Sequence, residues 1–199
     1  MRVADQREKE AGAKDANAEY EYFQAVIFPD NMMEILDYNR VVADLAGYSE
    51  ITFMRAVEEK FLIKPVRKAY HPEKRHTFGM YLAGRWYELK AKECTFDPKD
   101  TIAALDVSIL QNNLLAPILK IGDPRTDDRI GFVGGIRGLE ELERKVDSGK
   151  FAVAFSMYPT LMQEVMTVAD TGQIMPPKST WFEPKLRDGM VVHLLEDLQ

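Results

Sequence analysis

Apolar and polar positions along this chain recur with two periods, and the switches between them mark out the elements. Residues 1–19 are charged and alanine-rich with almost no apolar periodicity, so they read as a solvated helix or a frayed lead-in. Residues 22–28 are nearly all apolar and read as a strand, stopped by Pro29-Asp30-Asn31. Residues 33–38 read as a second strand, and the short polar connection predicts that the two pair antiparallel. Ser49 then caps a helix in which Met54, Val57 and Phe61 recur on one face.

Two alternating runs, 76–82 and 85–90, flank Ala83-Gly84 and read as a hairpin. Ala83 is a poor residue for a primed two-residue turn, because it must then take a positive φ. Residues 105–115 form a helix that is apolar over most of its surface, ended by Pro117. A short strand at 130–133 leads to an amphipathic helix over 138–147, with Leu139, Leu142 and Val146 on one stripe. The all-apolar run 151–155 reads as a strand covered on both faces. Thr160 and Gln163 predict a capping box, and Gly172 closes the helix that follows. Residues 190–195 read as the last strand. The expected fold is α+β with a mixed sheet: N-terminal hairpin and meander strands, then βαβαβ. The expected organisation is a lead-in over 1–19 and one α+β domain over 20–199.

Composition narrows the class. The chain has 199 residues, 46% hydrophobic and 29% charged, as an ordinary globular protein does. Its net charge of −6 argues against binding nucleic acid through phosphates. Cys94 is the only cysteine, which excludes an internal disulfide and suits a reducing cytoplasm. It reads as a half-buried residue at a strand end. One cysteine and three scattered histidines offer no zinc-ligand spacing, so no metal is expected. No stretch reaches the ~20 apolar residues that span a bilayer.

The densest candidate chemistry lies in Met175-Pro176-Pro177-Lys178-Ser179-Thr180-Trp181-Phe182-Glu183-Pro184-Lys185. Three prolines stiffen it, aromatics give it an apolar wall, and a few polar tips remain, which is the composition of a pocket rim. Lys178, Ser179 and Thr180 could hold a phosphate or carboxylate, with Lys185 as a second cation. A structural turn with an exposed lysine explains the same residues equally well. The Gly134-Gly135 turn could leave N–H groups free at a helix start for an anion, although a tight turn that needs glycine explains it more simply. Asp37 and Arg40 at a strand end could bind a polar ligand, or, more simply, pair with each other. His71 reads as solvated, and His193 as a half-buried strand histidine. Asp123 to Asp128 read as a turn locked by side-chain hydrogen bonds rather than a calcium loop. No nucleophile, base and acid set is indicated.

Five blocks in order carry a family resemblance: Asp37-Tyr38-Asn39-Arg40-Val41-Val42, His76-Thr77-Phe78-Gly79-Met80-Tyr81, Leu105-Asp106-Val107-Ser108-Ile109-Leu110, Phe132-Val133-Gly134-Gly135 and Met175-Pro176-Pro177-Lys178-Ser179-Thr180. Together they resemble the second half of a bacterial and archaeal family catalogued as domain of unknown function 1015. Full-length members are longer, and their first half resembles the ParB/sulfiredoxin superfamily and bears an Asp-Gly-His-His-Arg motif. Some relatives in that superfamily are nucleotide hydrolases or free-serine kinases. This chain contains no such motif and no adjacent histidines. The resemblance therefore implies a C-terminal fragment, inactive alone, that handles a phosphorylated or nucleotide ligand together with the missing N-terminal half. On that implication residues 1–19 are the bridge to that half. The rival expectation is a non-catalytic scaffold that docks on the missing half or self-associates into a homo-oligomer.

Overall fold

Ala83 and Gly84 close a two-residue hairpin turn with φ of 49° and 75°, so the alanine adopts the left-handed conformation that a primed turn demands. The turn joins two strands, Thr77–Leu82 and Arg85–Ala91, with Leu82 opposite Arg85. This hairpin lies within a six-stranded sheet. The computed structural model describes residues 2–12, 18–27, 29–185, 187 and 189–194. They divide into two compact units, one of residues 34–183 and one of residues 1–33 with 184–199.

In the larger unit the strands are β1 (Glu34–Leu36), β2 (Tyr38–Val42), β3 (Phe61–Val66), β4 (Thr77–Leu82), β5 (Arg85–Ala91), β6 (Ile130–Gly134), β7 (Val153–Met157) and β8 (Trp181–Glu183). The six-stranded sheet runs β3-β5-β4-β7-β2-β6, and β1 pairs with β8 in a separate two-stranded ribbon. The fold is α+β as expected, but every strand pair is antiparallel. The expected βαβ over 130–157 is present in split form. β6 and β7 both run antiparallel to β2, hence parallel to each other, and β2 lies between them. The six-stranded sheet is therefore antiparallel throughout, with no adjacent parallel pair.

Helices cover both faces. In the larger unit they are α2 (Glu50–Lys60), α3 (Asp106–Leu110), α4 (Glu140–Asp147) and α5 (Met162–Asp170). α1 (Arg2–Ala11) lies in the smaller unit. On one face Phe53 and Val57 of α2, Ile109 and Leu110 of α3 and Val168 of α5 pack against Val42, Phe78, Met80, Phe155 and Met157. On the other, Leu142 and Val146 of α4 pack against Val41, Tyr81, Trp86 and Ala154. Burial from both sides explains why Val153-Ala154-Phe155, the first half of β7, continues the apolar run that begins at Phe151. Ser49 caps α2 as expected, its side chain accepting the Thr52 N–H. α3 passes into a π-helical turn, Gln111–Leu115, in which the Ala116 N–H reaches back to the Gln111 carbonyl at 2.9 Å. Pro117 has no N–H to offer the next carbonyl, which favours this wider winding.

Several expectations give way. The strand expected at 22–28 is absent: residues 22–27 have no regular structure, and Phe28 lies outside the described residues. Residues 190–194 form no strand either, and Leu195 is outside the described residues. β1 therefore pairs with β8, not with a preceding strand. The capping box also differs. Thr160 donates to the Ser179 carbonyl at 2.8 Å, and Glu164 accepts the Leu161 N–H at 2.9 Å. Cys94 is exposed in a short turn, Glu93–Thr95, rather than half-buried in a strand. Among the described residues no helix is long and apolar enough to cross a membrane.

Candidate functional site

Alternation along β2 sends Tyr38, Arg40 and Val42 to one face of the sheet and Asp37, Asn39 and Val41 to the other. Asp37 and Arg40 are thus held apart, and their expected pairing does not form. Asp37 accepts from the Asn39 side-chain amide and lies 3.3 Å from His71 Nε2. Asn39 Oδ1 in turn accepts the Met157 N–H at 2.8 Å. His71 is not simply solvated. Its Nε2 faces the Asp37 carboxylate and its Nδ1 lies 3.0 Å from the Pro72 carbonyl. Two acceptors on the two ring nitrogens favour the imidazolium, and the Asp37 hydrogen bond pushes the His71 pKa up.

Arg40 is 4% exposed. Its guanidinium lies over the Phe132 ring at 5.7 Å and donates to the carbonyls of Tyr38 and Lys178, the latter at 2.9 Å. No carboxylate pairs with it among the described residues. Burial lowers its pKa to about 10, which leaves it charged at neutral pH. A buried cation with only neutral partners is costly unless a counter-charge arrives. Arg40 lines a cavity of about 240 Å³. Ile102, Val107, Leu115, Ile130 and Phe132 supply apolar walls, Pro176 and Pro177 are also in the lining, and Ser108, Gln111 and Asn112 come from α3 and the π-helical turn.

Gln111 supplies the second anomaly. Its Nε2 donates to the carbonyls of Ile121 and Gly122 at 2.8 and 3.0 Å, while Oε1 is buried with no partner among the described residues. An unmet buried acceptor costs roughly 1–3 kcal/mol. A larger groove of about 600 Å³ runs between α2 and the β3–β5 end of the sheet. Its charged residues, Glu50, Arg55, Glu58 and Arg85, are all exposed, so it holds no buried charge awaiting a partner.

The proline-rich segment stands beside the cavity. Lys178 has a left-handed backbone, φ 58°, and its ammonium lies 5.7 Å from the Tyr38 ring centre and 5.8 Å from that of Phe132. Ser179 is buried, and its hydroxyl donates to the Pro176 carbonyl. Thr180 is half-buried. Trp181 meets Tyr38 edge-on at 5.2 Å and lies against Gly134, where a Cβ would come within 2.5–2.7 Å of its ring. The Gly135 N–H donates to the Asp37 carbonyl at 2.8 Å, and a Cβ there would strike the Asp37 carboxylate. Both glycines thus admit close neighbours. Lys178 meets Arg40 through its main-chain carbonyl, but it is exposed, and neither it nor Gly134 lines the Arg40 cavity; Ser179 and Gly135 direct their donors to protein carbonyls, and Lys185 belongs to the other unit.

Gln111 was not foreseen as a site residue. The signal available was Pro117 six positions on, which disturbs the helix at that point. His193 lies outside any strand and contacts the Glu19 carbonyl at 2.9 Å within the smaller unit. Asp123 locks its turn as expected, accepting the Arg125 N–H at 3.0 Å.

No curated protein matches the chain. Among solved structures it is similar to a conserved hypothetical protein from Pyrococcus furiosus, at 12% identity and TM-score 0.48 over 79% of this chain and 59% of that one. It is also similar to a free serine kinase in complex with AMP, at 12% identity and TM-score 0.46 over 79% of this chain and 56% of that one. The chain therefore spans little more than half the length of these structures. A family model described as "Protein of unknown function (DUF1015)" matches residues 1–108, more than half of the sequence, and the chain belongs to that family.

Proposed function

We propose that the Arg40 cavity binds a small anion, a phosphate or carboxylate group, and that the chain contributes this site to a larger protein handling a phosphorylated or nucleotide ligand. The observation that carries the reading is the buried Arg40 guanidinium, which lines a cavity and has carbonyls but no carboxylate for partners among the described residues. Lys178, exposed and held over Tyr38 and Phe132, adds a second positive charge outside the cavity lining. At about 240 Å³ the cavity is below the ~300 Å³ where drug-sized sites begin, so it takes the charged end of a nucleotide rather than the whole. On this reading the chain is the C-terminal part of a ParB-like cytoplasmic protein, and the motif-bearing N-terminal half supplies the chemistry.

Thermal denaturation with phosphate, short carboxylates, ADP and ATP tests the anion site. A ligand of the native state raises the melting temperature, by ~2.7 kcal/mol of stability at a hundredfold excess over Kd. No rise with any of these anions rejects the reading.

A second reading, an interaction module that docks on a partner half or self-associates, is favoured by the smaller unit. Phe23 is 85% exposed and Ile27 93%, and Met190, Val191 and Val192 are exposed as well. Large exposed apolar side chains of this kind are found at contact surfaces. Light scattering decides: a monodisperse monomer that shows no affinity for the N-terminal half of a family member removes this alternative.

A further inference from the structure

The lining of the Arg40 cavity narrows what its anion can be, given the reading above that the cavity binds one. We infer that the ligand is a short monocarboxylate with a hydrocarbon body: the carboxylate meets Arg40, and the carbon chain fills the apolar remainder of the cavity.

The argument starts from charge. Among the described residues Arg40 is the only ionisable one in the lining, and it is charged at neutral pH. Lys178 is exposed and does not line the space. One buried positive charge is neutralised by one negative charge. A phosphate monoester carries nearly two at pH 7 and a dicarboxylate carries two, so either leaves a surplus charge in an enclosed apolar space. No acidic residue is in the lining, so the ammonium of an amino acid meets no counter-charge there.

The donors agree with a carboxylate. A guanidinium has five N–H groups in one plane. The Tyr38 and Lys178 carbonyls accept one each, and the others have no hydrogen-bond partner among the described residues. A carboxylate sets two oxygens against that planar fork, the pairing in which arginine is strongest.

Hydrocarbon fills most of what is left. Ile102, Val107, Leu115 and Phe132 are among the walls, and Ser108 and Asn112 are polar but uncharged. Gln111 commits its amide nitrogen to the Ile121 and Gly122 carbonyls, and its oxygen is closed off, so it offers a ligand no polar atom. Such walls reward carbon over further polar groups. At about 240 Å³ the cavity has the volume of about eight water molecules, at ~30 Å³ each, which keeps the body short. A phosphorylated ligand of the larger protein then lies outside this cavity.

Titration of the full chain at pH 7, followed on the amide NMR signals of Val107, Ser108 and Phe132, tests this. One series runs from acetate to hexanoate, and a second sets butanoate against propyl phosphate, succinate and 2-aminobutanoate. Affinity is expected to rise about fourfold for each added methylene until the cavity is full, the worth of one buried CH₂. Butanoate is expected to bind about tenfold tighter, or more, than each of the other three. Every comparison uses the unaltered protein, so none depends on a variant that folds. Affinity that ignores chain length overturns this inference while the anion site stands, and so does propyl phosphate, succinate or 2-aminobutanoate binding as tightly as butanoate. Binding of no carboxylate and no phosphate overturns the anion site itself, and the inference with it.

Discussion

Arg40 and Lys178 are joined by a hydrogen bond from the guanidinium of one to the main-chain carbonyl of the other, across 138 positions of sequence. The bond ties β2 in the sheet to the proline-stiffened segment, and the left-handed backbone at Lys178 belongs to the same junction. Left-handed geometry costs a residue with a Cβ roughly 1–2 kcal/mol, so the surrounding contacts have to hold it in place. Arg40→Ala removes the donor from two carbonyls in part-buried hydrogen bonds and leaves a void beside Phe132. A loss of about 2–4 kcal/mol is expected in urea denaturation. A change within ~0.5 kcal/mol, the usual range for a surface residue, would show that Arg40 ties nothing together.

Gly134 has φ of −66°, so alanine suits its backbone, and the cost of Gly134→Ala is steric alone. The added Cβ would lie 2.5–2.7 Å from the Trp181 ring, which must move, and Tyr38 stacks edge-on against that ring. Destabilisation of about 1–3 kcal/mol is expected. The chain has two tryptophans, so in a Trp86→Phe background the emission reports Trp181 alone. An unchanged emission spectrum in Gly134→Ala would contradict the packing.

These contacts also mark what could be read in advance. The β4–β5 hairpin was legible because its partners are joined by two residues, and α2 because its cap and apolar stripe are local. The pocket-rim character of residues 175–185 was legible from composition, and Pro176 and Pro177 do line the cavity. Pairing between distant strands was not. Residues 22–27 and 190–194 have the composition of strands, but periodicity describes a face and never names a neighbour, and neither segment is a strand. β8 is three residues long and gains its partner from β1 near the other end of the larger unit. The separation of Asp37 from Arg40 follows from strand alternation once β2 is placed to start at Tyr38. A sequence pattern ending the strand at residue 38 concealed it.

His71 should titrate above its ordinary value of 6.5, chiefly through the Asp37 hydrogen bond. Because its folded pKa is raised, its contribution to stability is complete below the unfolded pKa and fades as pH rises through the folded one. Half the side chain is exposed, so solvent screens the gain. An NMR titration of the ring protons measures the shift directly. Asp37→Asn should bring the pKa back down, and an identical titration in both proteins would remove Asp37 as the cause.

Asp106 titrates in a lower window. Its Oδ1 accepts the His76 N–H at 2.9 Å, its Oδ2 is buried and unmet among the described residues, and burial raises its pKa to about 7. Arg75 and Glu164 face it with opposite effects, the acid raising the pKa and the base lowering it. The unfolded chain ionises this carboxyl near 3.8, whereas the folded protein holds the proton until about 7. Stability from this group is therefore full below pH ~4 and declines up to about 7, by on the order of 2–4 kcal/mol. Asp106→Asn imitates the protonated acid, so it should flatten the decline and melt above the unaltered protein at pH 8. A parallel pH profile for the two proteins would mean that Asp106 is not held neutral.

Ala83 offers the opposite kind of change, a gain. Its φ of 49° is one that an alanine rarely takes, and Gly84 beside it already sits at 75°. Both lie in a two-residue turn fixed by the register of Leu82 with Arg85, so the backbone cannot relax without breaking the ladder. Asparagine tolerates left-handed backbone far better, and Asn-Gly is the pair most favoured at a primed turn. A Cβ at Ala83 is exposed, so Ala83→Asn introduces no buried polar group. Stability should rise by about 0.5–1 kcal/mol, most of it from relief of turn strain. For a chain of this length that is a rise in Tm of a few degrees, ~2–4 °C for each kcal/mol. Ala83→Pro provides the contrast: its ring holds φ near −65°, the opposite sign from the native turn, and it should destabilise the hairpin strongly. If asparagine lowered Tm and proline left it unchanged, the turn in solution would not be the primed one.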